Sequence, residues 1–422
     1  MKKFCLVFLA ALIFITSMFV SASLAASSDL HLSGEFWIDA TWRGTDLGNS
    51  TTPSFAFGKA RFLLDKTLNP NTFFHMQVDC NSLEGKGSEY FRVQRLWFST
   101  QLPGQIETTL GYQANEWDTE YGLKNGKFFA DLGDRENFWS NLKYMGAYFK
   151  KDFGRWVIDT YVGRNTQGLD EITTGNYDDQ YYMTYGLKVG YKTEKLRIGL
   201  FGRYSRLDGQ EHWNVTDPSS QGRAPGIWDL SSITNYGVYV WYEILPEWTI
   251  KGTYNEQKAS TVWQPYDSET ETYGEPIHFK SANQWRIITE IGQSLIKIGS
   301  LWLEYGKMGQ GFFYNPSMRE GTMYDIFEDG ISFIDARIIK VAFHRQINGK
   351  LSCYARFTSI RDQAKTTMSL EQDIWTIGVS YQYRPNIAFE LQYDRNDYRS
   401  SALLKTKDGS EDCFRFRTNF TF

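Results

Sequence analysis

The feature that most constrains this chain is an alternation of apolar and polar residues with period two, recurring segment after segment from residue 30 to the C-terminus. In the first segment Leu32, Gly34, Phe36, Ile38, Ala40 and Trp42 share one parity, and Ser33, Glu35, Trp37, Asp39, Thr41 and Arg43 share the other. The last segment repeats the pattern, with Phe414, Phe416, Phe420 and Phe422 set against Arg415, Arg417, Asn419 and Thr421. Successive strand residues point to opposite faces, so each segment has one apolar and one polar face. The pattern predicts eighteen strands, near 30–42, 54–68, 73–81, 90–102, 105–113, 141–152, 155–165, 181–193, 196–206, 233–244, 248–257, 280–293, 296–308, 332–346, 350–362, 371–383, 387–396 and 412–422.

The connections alternate strictly between short and long. The short ones include Asn69-Pro70-Asn71, Pro103-Gly104, Phe153-Gly154, Leu245-Pro246-Glu247, Gly292 to Leu295, Asn348-Gly349 and Arg384-Pro385-Asn386. Asn348-Gly349 predicts a tight type I′ hairpin with positive φ at both central residues. The long connections are polar and rich in Gly, Asp and Ser; the longest covers 114–140. Short turns at one end and long loops at the other predict an all-β chain, a transmembrane antiparallel up-and-down barrel with periplasmic turns and extracellular loops.

Composition supports this. Aromatic residues make up 17% of the 422 residues. Phe73, Trp156, Tyr191, Trp248, Tyr383 and Phe422 sit beside short turns, where a periplasmic aromatic girdle would lie. Beyond the N-terminus no apolar run approaches the ~18 residues of a membrane helix. A pair of secreted all-β domains would share the alternation but not the asymmetry of the turns. The net charge of −4 gives no basic footprint for nucleic acid, so no nucleic-acid partner is expected.

Met1-Lys2-Lys3, an apolar run from Phe4 to Val20, and small residues before Ala25 form the three regions of a secretory signal peptide. The alternative is an uncleaved anchor helix. The expected division is a signal peptide over 1–25 and one barrel domain over 26–422. Cys80, Cys353 and Cys413 are odd in number and widely spaced, which is neither a disulfide framework nor a metal-ligand pattern.

With these residues the chain resembles the bacterial outer-membrane porins of the 16–18-stranded class. The resemblance rests on the leader, the alternation of turns and loops, and a final strand ending in Phe422. It implies outer-membrane lipid around the barrel, recognition of Phe422 as an assembly signal by the barrel-assembly machinery, and a homotrimer. It also implies that the third long loop, 114–140, folds into the lumen. Leu110-Gly111-Tyr112-Gln113, followed by Trp117 and Tyr121-Gly122, is similar to alginate-export-type barrels, although those carry Arg where Tyr112 stands here.

A barrel of this size leaves an aqueous channel. Parity directs Lys59, Arg61, Arg95, Lys188, Arg197, Arg203, Lys251, Arg286, Arg356, Arg415 and Arg417 inward, because a lipid-facing cation at mid-membrane costs ~2–4 kcal/mol. The same parity directs Glu35, Asp39, Asp65, Asp79, Glu107, Asp159, Glu243, Glu290, Glu304, Glu390 and Asp394 inward. Parity is ambiguous on 141–152 and 332–346, where a bulge is expected to shift the register. The third loop carries Glu116, Asp118, Glu120, Asp131, Asp134 and Glu136 against Lys124, Lys127 and Arg135. Bent inward, its carboxylates would face Arg61, Arg95 and Arg417 and set a transverse field; the alternative is an ordinary solvated loop.

The expected function is passive diffusion of small hydrophilic solutes or ions through a porin. One rival is a selective channel for sugars or an acidic polysaccharide, for which inward Trp37, Trp97, Tyr161, Tyr239 and Trp302 would form a track. The other is an outer-membrane enzyme. The five His show no catalytic or metal-binding spacing, so no catalytic residue, metal or other cofactor is expected.

Overall fold

A computed structural model describes residues 30–45, 54–82, 89–114, 143–165, 182–207, 213–215, 226–267, 272–309, 335–363, 370–400 and 409–422. The expected leader and nearly all of the third long loop lie outside these residues.

The chain is a closed antiparallel β-barrel of eighteen wall strands. They are β1 (Leu30–Thr45), β2 (Ser54–Asn69), β3 (Thr72–Ser82), β4 (Glu89–Leu102), β5 (Ile106–Ala114), β6 (Lys143–Phe153), β7 (Trp156–Asn165), β8 (Tyr182–Lys192), β9 (Leu196–Leu207), β11 (Gly226–Leu245), β12 (Trp248–Asp267), β14 (Ile277–Ile291), β15 (Ser300–Met308), β16 (Ala336–Gln346), β17 (Leu351–Asp362), β18 (Leu370–Arg384), β19 (Ile387–Ser400) and β20 (Gly409–Thr421). Two short strands, β10 (Trp213–Val215) and β13 (Thr272–Tyr273), pair with the long-loop ends of β11 and β12. Each predicted strand corresponds to one wall strand. β11 and β12 run to 20 residues each, well past the predicted limits at their long-loop ends.

Closure is made by β1 and β20, from Glu35 opposite Thr421 to Thr45 opposite Glu411. Without that ladder both strands would present unpaired N–H and C=O groups, which hydrocarbon cannot satisfy. The last residue belongs to the seam. Phe422 N–H donates to the Gly34 carbonyl at 3.0 Å, and Gly34 N–H donates back at 3.1 Å. A Cβ on Gly34 would lie 2.5 Å from the Phe422 ring, so only glycine lets the ring lie against β1.

Two of the turns depart from expectation. Neither Asn348 nor Gly349 has positive φ, so the turn is not type I′. Instead Asn348 Oδ1 accepts from Lys350 N–H at 2.9 Å and Leu351 N–H at 3.0 Å, a side-chain turn that uses asparagine differently. Gly154 and Gly104, in the turns at Phe153-Gly154 and Pro103-Gly104, do take positive φ, 80° and 79°. The connection after β14 is longer than expected: it holds a helical turn, α1 (Gln293–Ile296), closed by Lys297 at φ 62°.

The expected bulges in β6 and β16 are absent, since both pair in unbroken register with their neighbours. Parity is hard to read on β16 because Ala336, Ile338 and Ala342 face inward beside Lys340, and all four are buried. Register shifts fall elsewhere, at Trp37/Ile38 against β2 and at Gln77/Val78 against β4.

The outward face carries the apolar band. Leu187, Leu200, Ile287, Trp375 and Ile377 are among its exposed members. Of the expected periplasmic girdle, Trp156 and Tyr191 pack edge to face at 5.2 Å. Outward Trp248 donates its indole N–H to Thr289 Oγ1 at 2.9 Å. Phe73 differs: it shares the parity of His75 and Gln77 and packs at 5.8 Å against Trp97 on the inner wall.

Candidate functional site

The inner wall divides into two arcs of nine strands. Along β6–β16 the inward side chains of the mid-wall layer are sealed. Tyr144, Tyr161, Phe201, Tyr239, Ile288, Trp302 and Ala342 form one buried cluster, in which Tyr144 and Tyr161 stack at 4.8 Å. Gly186 opposite Tyr161 is needed for this: a Cβ there would lie 2.0 Å from the phenol ring. The alternating pattern puts a glycine on the adjacent strand at the level of the ring, so the tyrosine lies flat along the wall.

The charges of this arc are neutralised in the same layer. Lys188 meets Asp159 at 2.9 Å and Lys251 meets Glu290 at 2.7 Å. Glu304 takes Arg286 at 2.7 Å, Lys340 at 3.7 Å and the Trp302 indole N–H at 3.1 Å. None of these charged side chains is more than 2% exposed. Lys251 also lies 5.0 Å from the Trp302 ring centre, a cation–π contact. Removing one partner from such a pair leaves a buried charge uncompensated, which typically costs about 3–5 kcal/mol.

The arc β17–β20 and β1–β5 is arranged differently. Arg417 is bidentate on Asp39, both bonds 2.7 Å, and its guanidinium lies 4.3 Å from the Trp37 ring centre. Arg61 forks onto Asp79 at 3.0 and 3.1 Å and reaches Glu35 at 3.1 Å. Gln77 donates to Asp79 from behind at 3.0 Å. Arg415 donates to Gln392, and Arg356 lies 4.6 Å over the Tyr354 ring. The Tyr354 hydroxyl donates to Glu390 and lies 2.9 Å from Gln392. Here the guanidiniums keep some exposure, and Asp79 is the deepest of the acids that hold them. The Asp79 side chain is 3% exposed, whereas Arg61 is 27% and Arg417 17% exposed. The acids orient the guanidiniums of Arg61 and Arg417, which stay part-exposed. Planar forks suit carboxylate or phosphate recognition.

The proposed lining residues therefore separate. Arg61, Arg95, Arg356, Arg415 and Arg417 share the second arc. Arg197 stands exposed near the periplasmic mouth, 5.1 Å over Trp241. Arg286 is sealed in the first arc. Lys59 lies on β2, outside the side chains described; Glu116, Asp118, Glu120, Asp131 and Asp134 lie outside the described residues. Sequence reading misses two features: Lys340 as a partner of Glu304, hidden by the apolar neighbours of β16, and the shared role of Glu304. Among the described residues no group of three or more His, Cys, Asp or Glu is placed to hold a metal ion.

A closed antiparallel β-barrel with polar, hydrogen-bonded residues inside and an apolar band outside is the fold that outer-membrane porins share. No protein-family model matches the sequence, and no curated relative does. Solved structures do resemble it. OccAB3 of Acinetobacter baumannii is 9% identical with a TM-score of 0.55, covering 94% of this chain and 100% of that one. OpdL of Pseudomonas aeruginosa is 10% identical with a TM-score of 0.52, covering 94% and 99%. OpdQ of the same organism is 10% identical with a TM-score of 0.52, covering 93% and 98%. At such identities the likeness is one of fold.

Proposed function

We propose that the barrel is a passive outer-membrane channel, and not an enzyme, whose solute path follows the β17–β5 arc. The observation that carries this is the contrast in exposure: the inward pairs of Asp159, Glu290 and Glu304 on β6–β16 are closed to solvent, whereas Arg61 and Arg417 are 27% and 17% exposed. Small hydrophilic solutes or ions are the cargo, and a homotrimer is part of the reading.

Within it, selectivity for solutes bearing an acidic group is favoured over a neutral-sugar track. Five guanidiniums share the open arc, while of the five aromatics a sugar track would use, Tyr161, Tyr239 and Trp302 are at most 4% exposed, and Trp37 and Trp97 on the open arc are covered by Arg417 and His75. Planar-bilayer recording of the purified barrel tests both levels. Ohmic steps that organic acids block and neutral sugars leave unchanged support the acidic-solute channel. Steps blocked by a sugar alone sink the selectivity, and absence of conductance sinks the channel.

A further inference from the structure

Three strands carry an outward cation at the same height. On β15 the outward column runs Leu301, Leu303, Tyr305 and then Lys307; on β16 it runs Phe343, Val341, Ile339 and then Arg337. On β17 it ends in Arg361. The register sets Lys307 directly opposite Arg337, and Arg337 directly opposite Arg361. Like charges directly opposite one another across a sheet are destabilising, so a bare row of three needs anions.

The outer two have them. Lys307 pairs with Asp335 at 2.9 Å, and Arg361 pairs with Asp373 at 2.5 Å and with Glu371 at 3.9 Å. Arg337, between them, makes no ion pair among the described residues, and its Nε has no hydrogen-bond partner. The row lies at the long-loop ends of its strands, one outward step beyond Tyr305, whose ring packs at 5.2 Å on Trp285. Aromatic belts mark the membrane–water interface, so the next residue outward stands at the level of the outer-leaflet headgroups.

We propose that Arg337, flanked by Lys307 and Arg361, is a binding site for the phosphate of an outer-leaflet lipid. Arg337 faces lipid and not the lumen, the barrel's orientation sets it at phosphate depth, and the lipid supplies an anion that the described residues do not give it. A guanidinium between two paired cations holds phosphate by charge-assisted hydrogen bonds. The site is separate from the solute path and rests only on the barrel's orientation in the membrane.

The test is native mass spectrometry of the folded barrel in detergent, titrated with phosphatidylglycerol, with diacylglycerol and inorganic phosphate as separate arms. Wild type should retain phosphatidylglycerol at least fivefold better than Arg337→Gln, and Arg337→Lys should keep most of that retention. Diacylglycerol should not be retained, and inorganic phosphate at equal concentration should not displace the lipid. Arg395→Gln alters an outward arginine already paired with Asp397 and should behave as wild type. Equal retention by wild type and Arg337→Gln overturns the site. So does equal loss in Arg395→Gln, which would mean surface charge alone, or full displacement by inorganic phosphate, which would mean a free-anion site. Removing Arg337 relieves a like-charge contact, so the variant should fold, which heat-modifiability on a gel scores. If Arg337→Gln does not fold, Arg337→Ala takes its place against the same fivefold threshold.

Discussion

The two arcs of the inner wall use the same residue types on the same parity and put them to opposite uses. On β6–β16, Arg286, Lys188, Lys251 and Lys340 are held against Glu304, Asp159 and Glu290 in a layer closed to solvent. On β17–β5, Arg61 and Arg417 are held by Asp79, Glu35 and Asp39 and stay part-exposed. An inward arginine is thus not by itself a pore residue. Depth relative to its carboxylate decides whether it braces the wall or meets the solute. The two uses also differ in energy: a sealed pair resists loss of either member, whereas a part-exposed pair contributes roughly 0–1 kcal/mol and is weakened by salt.

The sharpest way to break this comparison is Glu304→Ala. It strands Arg286 and Lys340 and deprives the Trp302 indole of its acceptor. A loss of about 3–5 kcal/mol in urea unfolding from lipid vesicles is expected, with the conductance of surviving molecules unchanged. Normal stability with altered selectivity would reverse the assignment of the arcs.

Gly186→Ala comes next. Its Cβ would lie 2.0 Å from the Tyr161 ring, so the ring must leave the wall and the cluster must repack. Such overpacking costs about 1–3 kcal/mol in the same measurement. The double variant with Tyr161→Ala relieves the clash, so its loss should fall short of the sum of the two single losses.

These residues show how far the sequence is legible. All eighteen strands follow from period-two alternation and turn spacing, because a membrane barrel leaves almost no other way to satisfy its backbone. Inward parity of Arg61, Arg286 and Arg417 is equally plain. Whether each is sealed is not, because burial of a wall residue depends on neighbours two or three strands away and on the lumen's contents. Tyr161 against Gly186 shows this: the partners are 25 residues apart and meet only through register. Asn348 departs from expectation for a local reason. Asn-Gly favours positive φ, but the asparagine side chain offers a competing turn, and here it prevails.

Phe422→Ala should have a smaller effect on the folded barrel and none on the solute path. Both backbone bonds to Gly34 survive the change, but the ring that packs along the β1–β20 seam and near Phe62 is lost. Until the seam closes, the outward row Phe414, Phe416 and Phe420 stays on an open edge, which invites aggregation. Lower outer-membrane yield with wild-type single-channel conductance is expected. Normal yield with changed selectivity would contradict closure through this strand.

Arg417→Ala should disturb the fold least and the pore most directly. Its partner Asp39 keeps an 11% exposed side chain, against 0% for Glu304, so the stability loss should fall short of the about 3–5 kcal/mol of a sealed pair. The electrostatic change is larger in consequence: the forked donor beside Trp37 is lost, Asp39 is left uncompensated, and the wall loses one positive charge. Reversal potentials in a salt gradient should move toward cation selectivity, and block by organic acids should weaken. The shift should shrink as salt is raised, since the Debye length falls from ~10 Å at 0.1 M to ~3 Å at 1 M. Arg286→Ala is the paired control from the sealed arc, predicted to lose stability and leave the reversal potential alone. If the two variants exchange these outcomes, the solute path runs along β6–β16 instead.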